Sequence, residues 1–127
     1  MQVIILRGLP SSGKTTYAAT LDSYAHCSAD LYFIDAFDPA QLPAAHRWCR
    51  DRFRQALREC NIVVDNTNLT AAEIAWYYHE AEDAGYDVVI RTFHTQYPGG
   101  KDIPQGTLDR MRATFNAAVL PPYWNYV

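Results

Sequence analysis

Eight residues, Gly8-Leu9-Pro10-Ser11-Ser12-Gly13-Lys14-Thr15, constrain this chain more than any other stretch. They complete the pattern G-x-x-x-x-G-K-[ST] and sit between two elements of opposite habit. Before them, Val3-Ile4-Ile5-Leu6-Arg7 is a continuous β-branched run, as expected of a strand buried on both faces. After them, Lys14 opens a helix that runs to Leu21. A strand covered on both faces needs helices on both sides. The chain is therefore expected to form an α/β fold around a mainly parallel sheet.

The rest of the sequence repeats the alternation. A short strand is expected over residues 24–28, then an irregular stretch over 35–43 punctuated by Pro39 and Pro43. Pro43 suits the first turn of a helix. Ala45, Cys49, Phe53, Ala56, Leu57 and Cys60 then recur every three or four residues as one apolar stripe. Arg47, Arg50, Asp51, Arg54, Arg58 and Glu59 fall on the other face, read as a solvated one. Ile62-Val63-Val64 is a third strand ending at Asp65. Thr70 with Glu73 forms a capping box for a helix that runs to Gly85. A fourth strand covers 87–93, a loop covers 97–102, and Pro104 starts a last helix that Pro121-Pro122 ends. Tyr123, Trp124 and Tyr126 make an aromatic tail expected to dock on the body. All of this fits one domain over residues 1–127.

Composition excludes several classes. With 49% hydrophobic and 20% charged residues the chain is neither disordered nor fibrous. Its net charge of −3 supplies no global positive field for nucleic acid, so a polynucleotide must be met by a local groove. Cys27, Cys49 and Cys60 are odd in number and lack C-x-x-C spacing, which argues against a disulfide framework or a zinc site. The four histidines have no metal-ligand spacing. The leading apolar run is too short for a secretory segment or a membrane span, so a cytoplasmic protein without membrane contact is expected.

The loop carries the chemistry. Its glycines let backbone N–H groups turn inward around an anion, and the helix that follows adds its positive end. Lys14 reaches the β- and γ-phosphates of a nucleoside triphosphate, and the Thr15 hydroxyl binds Mg²⁺. Gly8, Pro10, Ser11, Ser12, Gly13, Lys14, Thr15 and Thr16 are thus the expected ATP-binding residues. Asp65 ends a buried strand and so places a carboxylate at the sheet's C-terminal edge, where ligands of open α/β sheets bind. It is the expected second residue of the Mg²⁺ site.

Three blocks resemble one P-loop family. They are residues 6–16 around the loop, Ser28-Ala29-Asp30-Leu31-Tyr32-Phe33, and Val64-Asp65-Asn66-Thr67-Asn68-Leu69. The family is the polynucleotide-kinase-like ATPases, and the likeness covers residues 3–115. It implies a three-layer P-loop kinase-like fold with four to five strands. It further implies transfer of the γ-phosphate of ATP to a hydroxyl, with the 5′-hydroxyl of a single-stranded DNA or RNA end, or of a nucleotide, as leading acceptor. By the same resemblance Asp30 is the general base that takes the acceptor's proton, while Thr67 and Asn68 line the acceptor site.

Two departures stand out. The family's Arg-Asn pair in the lid is absent, and Pro98-Gly99-Gly100-Lys101-Asp102-Ile103-Pro104 stands in its place. Lys101 is the loop's cation and the expected partial substitute for the lid arginine. Leu31 and Phe33 replace an acid and a base of relatives, which points to altered acceptor recognition. A small-molecule or nucleoside kinase, and an ATP-binding switch with little transfer activity, remain the alternative readings.

Overall fold

The computed structural model describes residues 1–98, 100 and 102–127. Four strands, β1 (Gln2–Gly8), β2 (Ala25–Cys27), β3 (Ile62–Asp65) and β4 (Asp87–Phe93), form one sheet in the order β2-β3-β1-β4. Every pairing is parallel. The sheet is thus entirely parallel, where the sequence pattern predicts a mainly parallel one. Helices α1 (Lys14–Ala19), α2 (Leu42–Ala56), α3 (Ala71–Asp83) and α4 (Gln105–Ala117) complete the alternation.

Strand alternation divides the interior into two clusters. Val3, Ile5, Ile62, Val64, Val88 and Ile90 face Ala45, Cys49 and Phe53 of α2 and Ile74, Tyr77, Tyr78 and Ala81 of α3. Ile4, Leu6 and Val63 face the opposite way, toward Tyr17 and Ala18 of α1. Helices therefore lie on both faces and the molecule has three layers.

The tail docks as expected. Trp124 is buried and stacks on Tyr78 with ring centroids 4.9 Å apart. Tyr126 forms a parallel bridge with Ile90, flanked by Ile90 N–H to Asn125 O and Val127 N–H to Ile90 O, each 2.9 Å. The tail thereby occupies the place of a fifth strand beside β4.

Three helices end earlier than the sequence predicts, α1 among them, which stops at Ala19 where Leu21 is expected. Helix α2 stops at Ala56, because Leu57 is extended and Arg58 takes a positive φ of 69°. The Tyr86 hydroxyl fixes that turn, accepting from Arg58 N–H and donating to Cys60 O, both at 2.7 Å. Helix α4 stops at Ala117, four residues before the prolines, so that the chain can turn and seat Trp124.

Candidate active site at the C-terminal edge of the sheet

Residues 8–13 turn between β1 and α1. Glycine is required at position 8 by close approach: an added Cβ would lie 2.8 Å from Ser12 Oγ and 2.9 Å from Phe93 O. It is required at position 13 by a φ of +99°. Lys14 is 7% exposed and its ammonium points back into the turn. It donates to Leu9 O (2.8 Å), Gly8 O (3.0 Å) and Ser12 Oγ (3.3 Å). The outer rim is held by Tyr97 N–H to Ser11 O at 2.8 Å and Gln96 Nε2 to Pro10 O at 3.3 Å.

Beneath the loop, β3 ends at Asp65, which is 5% exposed. Its Oδ2 accepts from Thr15 Oγ1 at 2.9 Å and lies 2.9 Å from His26 Nε2. The two residues expected to hold Mg²⁺ are therefore in direct contact. The Thr15 hydroxyl gives its proton to Asp65, which leaves its oxygen lone pairs available to a cation. A hydroxyl, a carboxylate and ligand phosphates are the donor set this hard cation takes, so the residues fit Mg²⁺. Among the described residues no cluster of three or more His, Cys, Asp or Glu could hold a metal by itself.

The acceptor-side residues follow from the same edge. Asp30 is exposed, in a one-turn 3-10 helix (Ala29–Tyr32) directly after β2. Asn66 ties that turn to β3 by accepting from Ala29 N–H at 2.9 Å, and its amide nitrogen lies 3.7 Å from Cys49 Sγ. Thr67 O accepts from Gly8 N–H at 2.9 Å, which fastens the segment after β3 to the start of the phosphate loop. Asn68 is buried with a φ of 47°, and its amide donates to Leu6 O at 2.8 Å. Its side-chain nitrogen is thus engaged with the backbone. Lys101 lies outside the described residues.

Two clefts flank this cluster. One, of about 600 Å³, is lined by Ser12, Thr16, Tyr17, Phe93 and Tyr97 among others, on the α1 side. Arg91 lies over the Tyr17 ring at 4.4 Å and stiffens its aromatic wall. The other, of about 370 Å³, opens between α2 and α3 and is lined by His46, Arg50, Asn66, Thr67, Asn68, Glu73 and Tyr77. His46 therefore lines a cleft.

The AAA domain family matches residues 3–98. The chain belongs to this family. Human NEDD4-binding protein 2 is 36% identical to this AAA domain over 99 residues, which is 70% of the chain. The chain spans only 6% of that relative's length. Among solved structures, the Pnkp1/Rnl/Hen1 RNA repair complex matches with a TM-score of 0.71 at 18% identity, over 91% of this chain and 44% of that one. Chaetomium thermophilum Kti12 in complex with ADP-AlF3 matches at 0.61 and 15% identity, over 98% and 88%. Mycobacterium tuberculosis APS kinase CysC matches at 0.56 and 14% identity, over 91% and 97%. The fold is that of P-loop kinases. Among the described residues no helix is long and apolar enough to cross a membrane.

Sequence reasoning missed two residues of this site. His26 stands in an unremarkable short strand, and only the β2–β3 register brings it to Asp65. Asn66 precedes the two residues that the resemblance places in the acceptor site, yet it is the one that holds the Asp30 turn. The Asp65-Asn66 juxtaposition was the available signal, since Asn after a strand-ending acid commonly bonds nearby backbone.

Proposed function

We propose that this AAA domain is an ATP- and Mg²⁺-dependent phosphotransferase that moves the γ-phosphate of ATP to a hydroxyl. The leading acceptor is the 5′-hydroxyl of a polynucleotide or nucleotide. The observation that carries the reading is the convergence, at one sheet edge, of a phosphate loop, the Thr15–Asp65 pair and the Asn66-anchored turn bearing Asp30.

In this reading the N–H groups of the loop cradle the phosphates, and Lys14 exchanges its loop carbonyls for phosphate oxygens. Thr15 and Asp65 would hold Mg²⁺, which would supply neutralisation of phosphate charge when bound. The aromatic cleft of Tyr17, Phe93 and Tyr97 takes the base. Asp30 accepts the proton of the acceptor hydroxyl as its oxygen bonds the γ-phosphorus. The bond from that phosphorus to the β–γ bridging oxygen breaks, and ADP carries the electron pair away. Lys101 supplies a cation at the lid. The domain acts in the cytoplasm.

The likeness to Pnkp1, which sits in an RNA repair complex, supports a polynucleotide acceptor. A small phosphorylated or nucleoside acceptor has support of its own. The α2–α3 cleft of about 370 Å³ is at the small end of ligand pockets and holds a single nucleotide-sized group.

Transfer from γ-labelled ATP to a panel of 5′-hydroxyl DNA, 5′-hydroxyl RNA, nucleosides and sugars tests the reading. Lys14→Ala is expected to abolish nucleotide binding. Asp30→Asn is expected to leave nucleotide binding in place and to lower transfer ~10²–10⁴-fold, the usual share of a general base. Undiminished transfer by Asp30→Asn removes Asp30 from the mechanism. No transfer to any acceptor by the unmodified domain sinks the kinase reading.

A further inference from the structure

His26 is an ionisable side chain in direct contact with the Thr15–Asp65 pair, and phosphoryl transfer itself gives it no task. It sits in β2, the outer strand of the sheet, in register with Val63. Paired residues of adjacent strands share a face, and Val63 faces α1, so His26 faces α1 too. Asp65 lies two residues beyond Val63 on that same face. The imidazole consequently meets the carboxylate at 2.9 Å from Nε2 to Oδ2. Asp65 Oδ2 already accepts from Thr15. A carboxylate has only acceptors to offer, so the hydrogen in the second contact sits on Nε2.

We propose that His26 is a positioning residue for the cation site: its Nε2–H pins the Asp65 carboxylate in the orientation that receives Mg²⁺ together with Thr15. The inference rests on the reading of Thr15 and Asp65 as the Mg²⁺ residues. Two donors on Oδ2 fix the carboxylate plane. With Thr15 alone the group is held by one donor in place of two. Outer partners of this kind orient metal-site carboxylates and typically govern affinity ten- to a hundredfold. The ring contributes little elsewhere. It belongs to neither apolar cluster, its side chain is 31% exposed, and β2 is held by its backbone pairing to β3.

The test reads metal dependence of binding, not turnover. Affinity for a non-hydrolysable ATP analogue is measured by calorimetry in EDTA and across a Mg²⁺ titration. The variants are His26→Leu, His26→Gln, His26→Asn and Asp65→Asn. The glutamine amide nitrogen stands as many bonds from Cβ as Nε2 does, whereas the asparagine amide falls a bond short. His26→Leu and His26→Asn are expected to raise the Mg²⁺ concentration needed for half-maximal enhancement about tenfold, with analogue affinity in EDTA unchanged. His26→Gln is expected to restore the native value. A uniform loss with and without Mg²⁺ means a merely structural residue and overturns the proposal. So does a native Mg²⁺ response in His26→Asn, the polar variant that keeps the test valid should His26→Leu not fold. Asp65→Asn separates the two levels. If it too leaves the Mg²⁺ response untouched, the metal site itself is misassigned. If it abolishes the response while the His26 variants do not, only the role of His26 falls.

Discussion

Arg7 ends the apolar run of β1 with a guanidinium that is only 6% exposed. It donates to Leu69 O at 2.9 Å and Phe115 O at 3.2 Å, and it lies over the Phe115 ring at 4.4 Å. Phe115 O belongs to the last turn of α4, where carbonyls lack helical partners and a cation is favourable. Burial draws the guanidinium's pKa below its ordinary value, and the nearby Glu73 opposes the change. One side chain thus joins the strand before the phosphate loop, the turn before α3 and helix α4. Arg7→Ala leaves two carbonyls and a ring face bare and is expected to cost ~2–4 kcal/mol in urea unfolding. Arg7→Lys should recover less than half, since an ammonium lacks the planar guanidinium face that covers the Phe115 ring while one of its nitrogens donates to both carbonyls. Full recovery by lysine would show that charge alone matters. The same residue marks the limit of sequence reading at this scale. Thr15 and Asp65 were legible because a motif and a strand end specify them. Arg7, His26 and Asn66 were not, because their partners lie dozens of positions away and meet only through sheet register.

Helix α3 is the element whose sequence speaks most clearly. Thr70 Oγ1 accepts from Glu73 N–H at 3.3 Å, and Glu73 Oε2 accepts from Leu69 N–H at 3.0 Å, one residue further back than the usual capping box. Thr70→Ala is expected to cost ~1 kcal/mol, a fall of a few degrees in the unfolding midpoint by circular dichroism. An unchanged midpoint would mean that packing of Ile74, Tyr77 and Tyr78 alone fixes the helix start. Strands β3 and β4 were legible to the residue, because each is an apolar run closed by turn chemistry. Helix ends were not. The stripe of α2 continues through Leu57 and Cys60 in sequence, yet the Tyr86 hydroxyl imposes a turn there. The α4 periodicity runs toward Pro121, yet burial of Trp124 takes the chain away first. In both cases a tertiary contact of one aromatic residue outweighs a weak local preference.

At the scale of the whole molecule, the larger apolar cluster holds Cys27, Cys49 and Tyr77, three weak acids whose ionisation burial opposes. Burial pushes the Cys27 thiol up to about 12, with Cys49 nearby adding to it. Burial likewise raises Cys49, partly offset by hydrogen bonds from Tyr77 and Asn66. The Tyr77 hydroxyl, which donates to Cys49 Sγ at 3.3 Å, is pushed above its usual range by burial as well. These groups lie between the sheet and both α2 and α3, and through Asn66 they adjoin the turn that carries Asp30. Their effect on stability has a definite sign. In the unfolded chain the thiols ionise near their ordinary value of 9.0, while in the folded chain they hold their protons longer. Unfolding therefore releases protons above pH 9, and stability falls as pH rises. The loss is absent below pH 9, and for Cys27 it accumulates until about 12, where the folded thiol ionises too. Each such group removes ~1.4 kcal/mol per pH unit once its unfolded form is ionised. The Cys27 thiol then accounts for ~1 kcal/mol between pH 9 and 10, Cys49 adds in the same direction, and Tyr77 joins above its ordinary value of 10.0. Urea unfolding at pH 7, 9, 10 and 10.5 should show a plateau and then a steep decline. Cys27→Ala should flatten the decline by about one thiol's share while lowering stability at pH 7 through the small cavity it leaves. A decline of equal steepness in that variant would place the alkaline sensitivity outside this cluster.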